Sequence, residues 1–136
     1  AGTVILSGST NNYSGVTTVS AGVLRLDNVS ALGAASVGNG TTVSSGAILQ
    51  LNAASGVFGE VGSDREELTL NGTGGGVGAL RLAGASQNVS WAGDITLGSA
   101  STIGVDQNTS FLSTLGKITG SGGLTKVGAG SLILNN

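Results

Sequence analysis

Seven carboxylates are the side chains of this 136-residue sequence with the clearest chemical potential, because the chain contains neither histidine nor cysteine. Without those residue types, Ser-His-Asp and Cys-His catalysis cannot operate within the chain, and most transition-metal sites lose their usual ligands. A pair of carboxyl groups can still hydrolyse a glycosidic bond. Asp27, Asp94 and Asp106 are the candidates for such a pair.

These three aspartates also adjoin turn signals, as in Asp27-Asn28 and Gly93-Asp94. Aspartate stabilises turns because its side chain accepts hydrogen bonds from the nearby backbone. The four aromatic residues are scattered along the chain and offer no obvious platform for a sugar ring. The sequence therefore favours a corner role for the aspartates, and a fragment of a carbohydrate-active enzyme is the alternative.

Segment 60–67 carries the one cluster of charge, five of the twelve charged residues of the chain. These residues are Glu60, Asp64, Arg65, Glu66 and Glu67. Their carboxylates could bind Ca²⁺, but the spacing matches neither an EF-hand nor a nonapeptide calcium repeat. Ser63 and Glu66 fit the capping box S-x-x-E, which predicts a single helical turn in a solvated loop. Calcium binding by this segment is left open.

Other classes of site lack their motifs. Neither G-x-G-x-x-G nor P-loop spacing occurs among the 26 glycines, so we predict no cofactor, no metal ligand and no catalytic residue. A net charge of -2 with 9% charged residues gives no basic surface for nucleic acid or anionic lipid. No apolar run approaches the roughly 20 residues of a membrane span. The sequence thus predicts a protein that is not an enzyme, binds no nucleic acid and does not insert into a membrane.

Internal repeats indicate the architecture that positions these residues. GAGSLILNN, from Gly128 to Asn136, resembles AGTVILSG at the start of the chain, with Ala129, Gly130, Ile133 and Leu134 recurring at an offset of 128. TTVSAG from Thr17 recurs as TTVSSG from Thr41, at an offset of 24. Fixed periods are typical of proteins whose units stack on their neighbours. We therefore expect residues 1–136 to be one β-solenoid segment, a unit of a tandem array with a period of about 128 residues.

Composition agrees with a solenoid. The chain has 26 Gly, no Pro and 32 Ser plus Thr, and its apolar residues come in short pulses separated by turn residues. Such pulses predict short strands, and periods in the twenties predict five to six coils of a parallel β-helix. The expected strands are 4–6, 23–26, 48–51, 68–70, 80–82, 95–97 and 132–134, with Leu6, Leu26, Leu51, Leu70 and Leu82 pointing inward. Asparagines near strand ends are expected to stack as an amide ladder, namely Asn28, Asn52, Asn71, Asn135 and Asn136.

The two ends of the chain also resemble a known family. GGLTKVGAGSLIL, from Gly122 to Leu134, and NYSGVTTVSAGVLRL, from Asn12 to Leu26, are similar to the two halves of the autotransporter-associated β-strand repeat, also called the passenger-associated transport repeat. Together the matching positions cover about a third of the chain. The halves lie at opposite ends, as expected if the unit repeats head to tail.

This resemblance implies a right-handed parallel β-helix in a passenger domain secreted by the type V route. It implies display outside the Gram-negative outer membrane, with the motif coils assisting export. From it we expect an extracellular or cell-surface stalk or adhesin scaffold. Its expected partners are adjacent copies of the same repeat stacked head to tail, together with a host or neighbouring cell surface.

Overall fold

A computed structural model describes residues 1–34, 38–61 and 63–135. The described chain contains sixteen β-strands and one short 3-10 turn. The strands are β1 (Thr3–Leu6), β2 (Thr17–Val19), β3 (Val23–Leu26), β4 (Thr41–Val43), β5 (Ile48–Leu51), β6 (Ser55–Phe58), β7 (Glu60–Val61), β8 (Asp64–Arg65), β9 (Leu68–Gly72), β10 (Leu80–Leu82), β11 (Asn88–Trp91), β12 (Ile95–Val105), β13 (Phe111–Thr114), β14 (Ile118–Gly120), β15 (Leu124–Val127) and β16 (Ser131–Leu134). The 3-10 turn spans Gly74–Gly76.

All of these strands except the hairpin β7–β8 form a parallel β-solenoid with three faces, and the long strand β12 contributes to two of them. The first face stacks β2, β4, β9, the start of β12 and β14. The second face stacks β1, β3, β5, β10, the end of β12 and β15. The third face stacks β6, β11, β13 and β16. All three ladders are parallel, so the predicted fold class is confirmed, with six levels on the second face; the hand of the coil stays a prediction.

Alternation along each strand explains which residues fill the interior. On the second face Leu24, Leu49, Leu80 and Ile103 occupy one register position, and all four are buried. Removal of each such side chain from water contributes about 1.5–3 kcal/mol. Every predicted strand is present, and Leu26, Leu51, Leu70 and Leu82 are buried as expected. Leu6 is only partly buried, because β1 is the terminal strand of its sheet.

Two motif glycines show why the corners need this residue. Gly22 has φ of 75°, and a Cβ there would lie 2.3 Å from the Gly2 carbonyl oxygen. Gly128 has φ of 86°, and a Cβ there would lie 2.2 Å from the carbonyl oxygen of Val105. Residues with a side chain are strained at such φ values. The coils can therefore approach to strand spacing at these corners only because no side chain is present.

The described part of the chain has no helix with the length and apolar character needed to cross a membrane.

Candidate functional site

The three aspartates proposed as an acid pair lie in separate interactions. Asp27 accepts two hydrogen bonds from the Arg25 guanidinium, at 2.6 and 2.8 Å, and a third from the Asn52 amide at 2.8 Å. The hydrogen bonds and charge of Arg25 hold the pKa of the Asp27 carboxyl below its ordinary value. Asp106 accepts two hydrogen bonds from the Arg81 guanidinium, at 3.0 and 2.5 Å. Two of the three carboxylates are therefore neutralised by arginine.

Their spacing does not suit glycoside hydrolysis. Asp27 follows β3 and Asp106 follows the end of β12, three coils apart on the second face. At about 4.8 Å per coil this is roughly 14 Å, more than the roughly 5–9.5 Å between the carboxyl groups of glycosidases. Asp94 lies at a different corner, before β12, where it accepts the backbone N–H of Lys117 at 2.8 Å. The structure thus supports the corner role and brings no candidate pair together.

Asp27 instead begins a polar ladder that runs from coil to coil. The Asn52 amide donates to Asp27, and the Gln87 amide donates to the Asn52 side-chain oxygen at 3.2 Å. Gln87 in turn accepts the backbone N–H of Gly84 at 3.0 Å. The expected ladder of asparagines alone is wrong, because Asn28 bonds locally to the Ser30 N–H and Asn71 bonds to a backbone carbonyl; Asn136 lies outside the described residues.

The acidic segment forms a hairpin, so the predicted helical turn is wrong. Glu60 pairs with Arg65 and Val61 with Asp64 in antiparallel register. Only two residues separate β7 from β8 in the sequence, and connections of this length are typical of tight hairpins. The hairpin is inserted between β6 on the third face and β9 on the first. It therefore lies at the corner where these two faces meet.

Glu66 departs from the expected solvated loop, since its side chain is only 3% exposed. Its carboxylate accepts a hydrogen bond of 2.7 Å from the hydroxyl of Thr41, which is also buried. Burial raises the pKa of the Glu66 carboxyl, while the Thr41 hydrogen bond acts in the opposite direction. Glu66 lies two residues before Leu68 and four before Leu70, so its alternation with these inward residues was the sequence signal for burial.

Asp64, Arg65 and Glu67 of the segment line an open cavity of about 310 Å³ with Ser63 and Asp94. Arg65 lies among the carboxylates and contacts the Ala92 carbonyl oxygen at 3.4 Å. Among the residues that the structure describes, no three acidic side chains converge to hold a metal ion.

A column of threonines on the first face was not anticipated from the sequence. Thr18, Thr42, Thr69, Thr96 and Thr119 occupy the same outward position on five successive strands. Their separations of 24, 27, 27 and 23 residues conceal the alignment, because the corners differ in length. The column gives this face an uncharged hydroxyl row with a spacing of about 4.8 Å.

Both ends of the coil stack present open strand edges and apolar side chains. At the first end, β1 and β2 each pair with one strand only, and Val4 and Ile5 are 59% and 51% exposed. An open cavity of about 350 Å³ lies between these two strands. At the other end β14, β15 and β16 are the terminal strands, and Leu134 is 50% exposed. Within the described chain, these ends are the surfaces best suited to binding another chain.

The repeated sequence at the two ends lies on two different faces. β1 is on the second face, where Ile5 pairs with Arg25. β16, which matches β1 at the offset of 128, is on the third face, where Ile133 pairs with Ser113. Two strands of similar sequence thus lie on different faces of the solenoid.

Comparison with known proteins agrees with this architecture. The model of the passenger-associated-transport-repeat family matches residues 1–26 and 124–136. The Adhesin BmaC autotransporter of Brucella suis biovar 1 (strain 1330) is 34% identical over 135 residues, which is 99% of this chain and 3% of that protein. No solved structure matches the chain significantly. The resemblance seen in the sequence is confirmed: the chain carries a passenger-associated transport repeat of the kind found in autotransporter passengers, with its two halves at the two ends of a parallel β-solenoid.

Proposed function

We propose that this chain is one unit of a tandem array that forms the stalk or adhesin scaffold of a secreted, surface-displayed passenger. In this proposal the unit binds adjacent copies of itself head to tail and has a structural rather than an enzymatic role. The family match and the similarity to an autotransporter adhesin support a passenger segment. The chain spans only 3% of the length of that adhesin, so the role of a whole protein is part of the proposal.

The open strand edges at both ends are the observation that carries the proposal. β2 and β14 are the terminal strands of the same face, and their central residues Thr18 and Thr119 belong to one column. A second copy placed head to tail would pair β14 of the first copy with β2 of the next. The threonine column would then continue without a break, and both edges would gain backbone hydrogen bonds.

A head-to-tail contact of this kind is heterologous, so it propagates into a fibre and does not close into a dimer. A fibre of stacked coils would hold distal segments away from the bacterial surface, where a host or neighbouring cell could be contacted. We place it outside the Gram-negative outer membrane, and we propose that the coils containing the motif support export by forming regular structure as the chain emerges.

The length of multi-copy chains tests this proposal. Chains of two and four copies, joined so that residue 129 of one copy is residue 1 of the next, should each form one rod. The rod should lengthen by about 24 Å per added copy, since five coils at about 4.8 Å are added. Small-angle X-ray scattering measures this increment, and electron microscopy measures straightness. Copies seen as separate bodies at variable distances would contradict the array.

A further inference from the structure

The placement of β1 beside β3 cannot persist in a continuous array. Only three residues, 128–130, connect β15 on the second face to β16 on the third. At the offset of 128, the same short connection would join β15 of one copy to β1 of the next copy. Three extended residues reach about 10 Å. For comparison, 21 residues separate successive second-face strands β3 and β5.

A connection this short can turn one corner but cannot complete a coil. If β15 of the first copy stays on the second face, β1 of the next copy must therefore lie on the third face. Resting on the proposed array, we infer that β1 is an exchangeable edge strand, which covers β3 in the single chain and moves to the third face when another copy precedes it. The vacated position on β3 is then taken by β15 of the preceding copy.

The side chains of β1 are compatible with either position. On the second face its inward residue Val4 remains 59% exposed, because no coil lies beneath it. On the third face, the matching strand β16 places Leu132 partly buried against the core and pairs Ile133 with Ser113. Val4 and Ile5 correspond to these two residues at the offset of 128. The same alternation of inward and outward residues thus suits both faces. The face on which β1 lies depends on whether another copy precedes it.

The interaction surface defined in this way is the edge of β3, and its partner is the Leu124–Val127 strand of a second copy. Edge strands that remain uncovered promote uncontrolled pairing with other chains. β1 covers this edge in the single chain, while the array supplies a covalently connected replacement. The exchange would favour orderly extension over lateral association.

Disulfide trapping distinguishes the two positions, since the chain has no cysteine of its own. In the single chain, Ile5→Cys with Arg25→Cys should form a disulfide, because directly paired residues on neighbouring strands lie within bonding range. In a two-copy chain, Ile5→Cys and Arg25→Cys are placed in the second copy and Ser113→Cys in the first. Peptide mass spectrometry should then find residue 5 joined mainly to residue 113 of the first copy.

A main product joining residues 5 and 25 within the second copy would overturn the exchange. Where Arg25→Cys weakens the fold, Thr3→Cys offers the same choice between Val23→Cys and Phe111→Cys. A separate two-copy chain tests stacking alone, with Thr119→Cys in the first copy and Thr18→Cys in the second. If this disulfide forms while residue 5 joins residue 25, the array stands and the exchange is wrong; if it does not form, both proposals fail.

Discussion

The hydroxyl of Thr41 donates a hydrogen bond of 2.7 Å to the Glu66 carboxylate, and both side chains are buried at the start of neighbouring first-face strands. Thr41 begins β4 and Glu66 lies two residues before β9. The only acidic residue buried in the described chain is thus held by one neutral donor. Because burial raises the pKa of Glu66, its ionisation should oppose folding as the pH rises.

Replacing Glu66 with Gln should remove this pH dependence. A raised folded-state pKa gives stability that is fully present below the unfolded pKa and is lost as the pH rises through the folded value. The free energy of unfolding of the Glu66→Gln variant should therefore increase relative to that of the parent as the pH rises from about 4 to about 8. Urea denaturation at a series of pH values measures the difference. A constant difference across that range would show that Glu66 has no shifted pKa.

Replacing Thr41 with Val should destabilise the fold by about 1–3 kcal/mol, because it leaves the buried carboxylate without its donor. The loss should be greater above the folded-state pKa of Glu66, where its carboxyl is ionised, than at low pH. Thr42→Val is the matched control, since Thr42 is the adjacent outward residue of the same strand. Equal effects of the two substitutions, measured by urea denaturation, would argue against the Thr41–Glu66 bond.

Replacing Leu26 with Asp should cost at least about 3 kcal/mol, since it places an unpaired charge in the core. Leu26 is 1% exposed, whereas Leu115, the site of the control Leu115→Asp, is 38% exposed. Thermal melting followed by circular dichroism compares the two. An unchanged melting temperature for Leu26→Asp would mean that Leu26 is not a core residue.

Removing the exposed charges of the hairpin corner should matter little. Asp64→Asn combined with Glu67→Gln should change the free energy of unfolding by less than about 1 kcal/mol, as solvated charges contribute weakly. Glu66 is kept in this variant because it is buried. Melting with and without Ca²⁺ provides the second readout. A calcium-dependent increase in melting temperature that the double variant abolishes would establish a metal site at this corner.

The motif glycines should differ in their tolerance of a side chain. Gly128→Ala should destabilise by about 1–3 kcal/mol, because φ is 86° and the Val105 carbonyl oxygen lies 2.2 Å from the new Cβ. Gly123, also in the motif, has no atom within 4 Å of the position that a Cβ would occupy, so Gly123→Ala is the control. Chemical denaturation of both variants tests this, and equal stabilities would contradict the close approach at Gly128.

Much of the fold could be predicted because the alternation of residues within each strand agrees with the repeat period between coils. Short apolar pulses such as 23–26 and 48–51 alternate inward and outward, and the repeat at 24 residues places neighbouring coils in register. The burial of Glu66 could not be predicted from its charge, which favours exposure, although its spacing of two residues from Leu68 is that of an inward residue. The threonine column was missed because loops of unequal length separate its members.

The position of β1 could not be predicted from the sequence. Thr3–Leu6 and Ser131–Leu134 are similar, so pattern alone assigns them the same position. The structure places them on different faces, since β1 pairs with β3 and β16 pairs with β13. Edge pairing depends on the neighbouring coil as well as on the strand itself.

Amide hydrogen exchange in a two-copy chain tests the central claim, a continuous solenoid through the junction, most directly. β2 pairs with β4 alone in the single chain, so one edge of β2 is open. With the second copy isotopically labelled by segmental ligation, the amide of its Thr18 should exchange as slowly as amides in the central strand β4. A matched sample with the first copy labelled instead provides the control, because its β2 has no preceding copy and its Thr18 amide should exchange faster. Equally fast exchange of Thr18 in both copies would contradict a continuous stack.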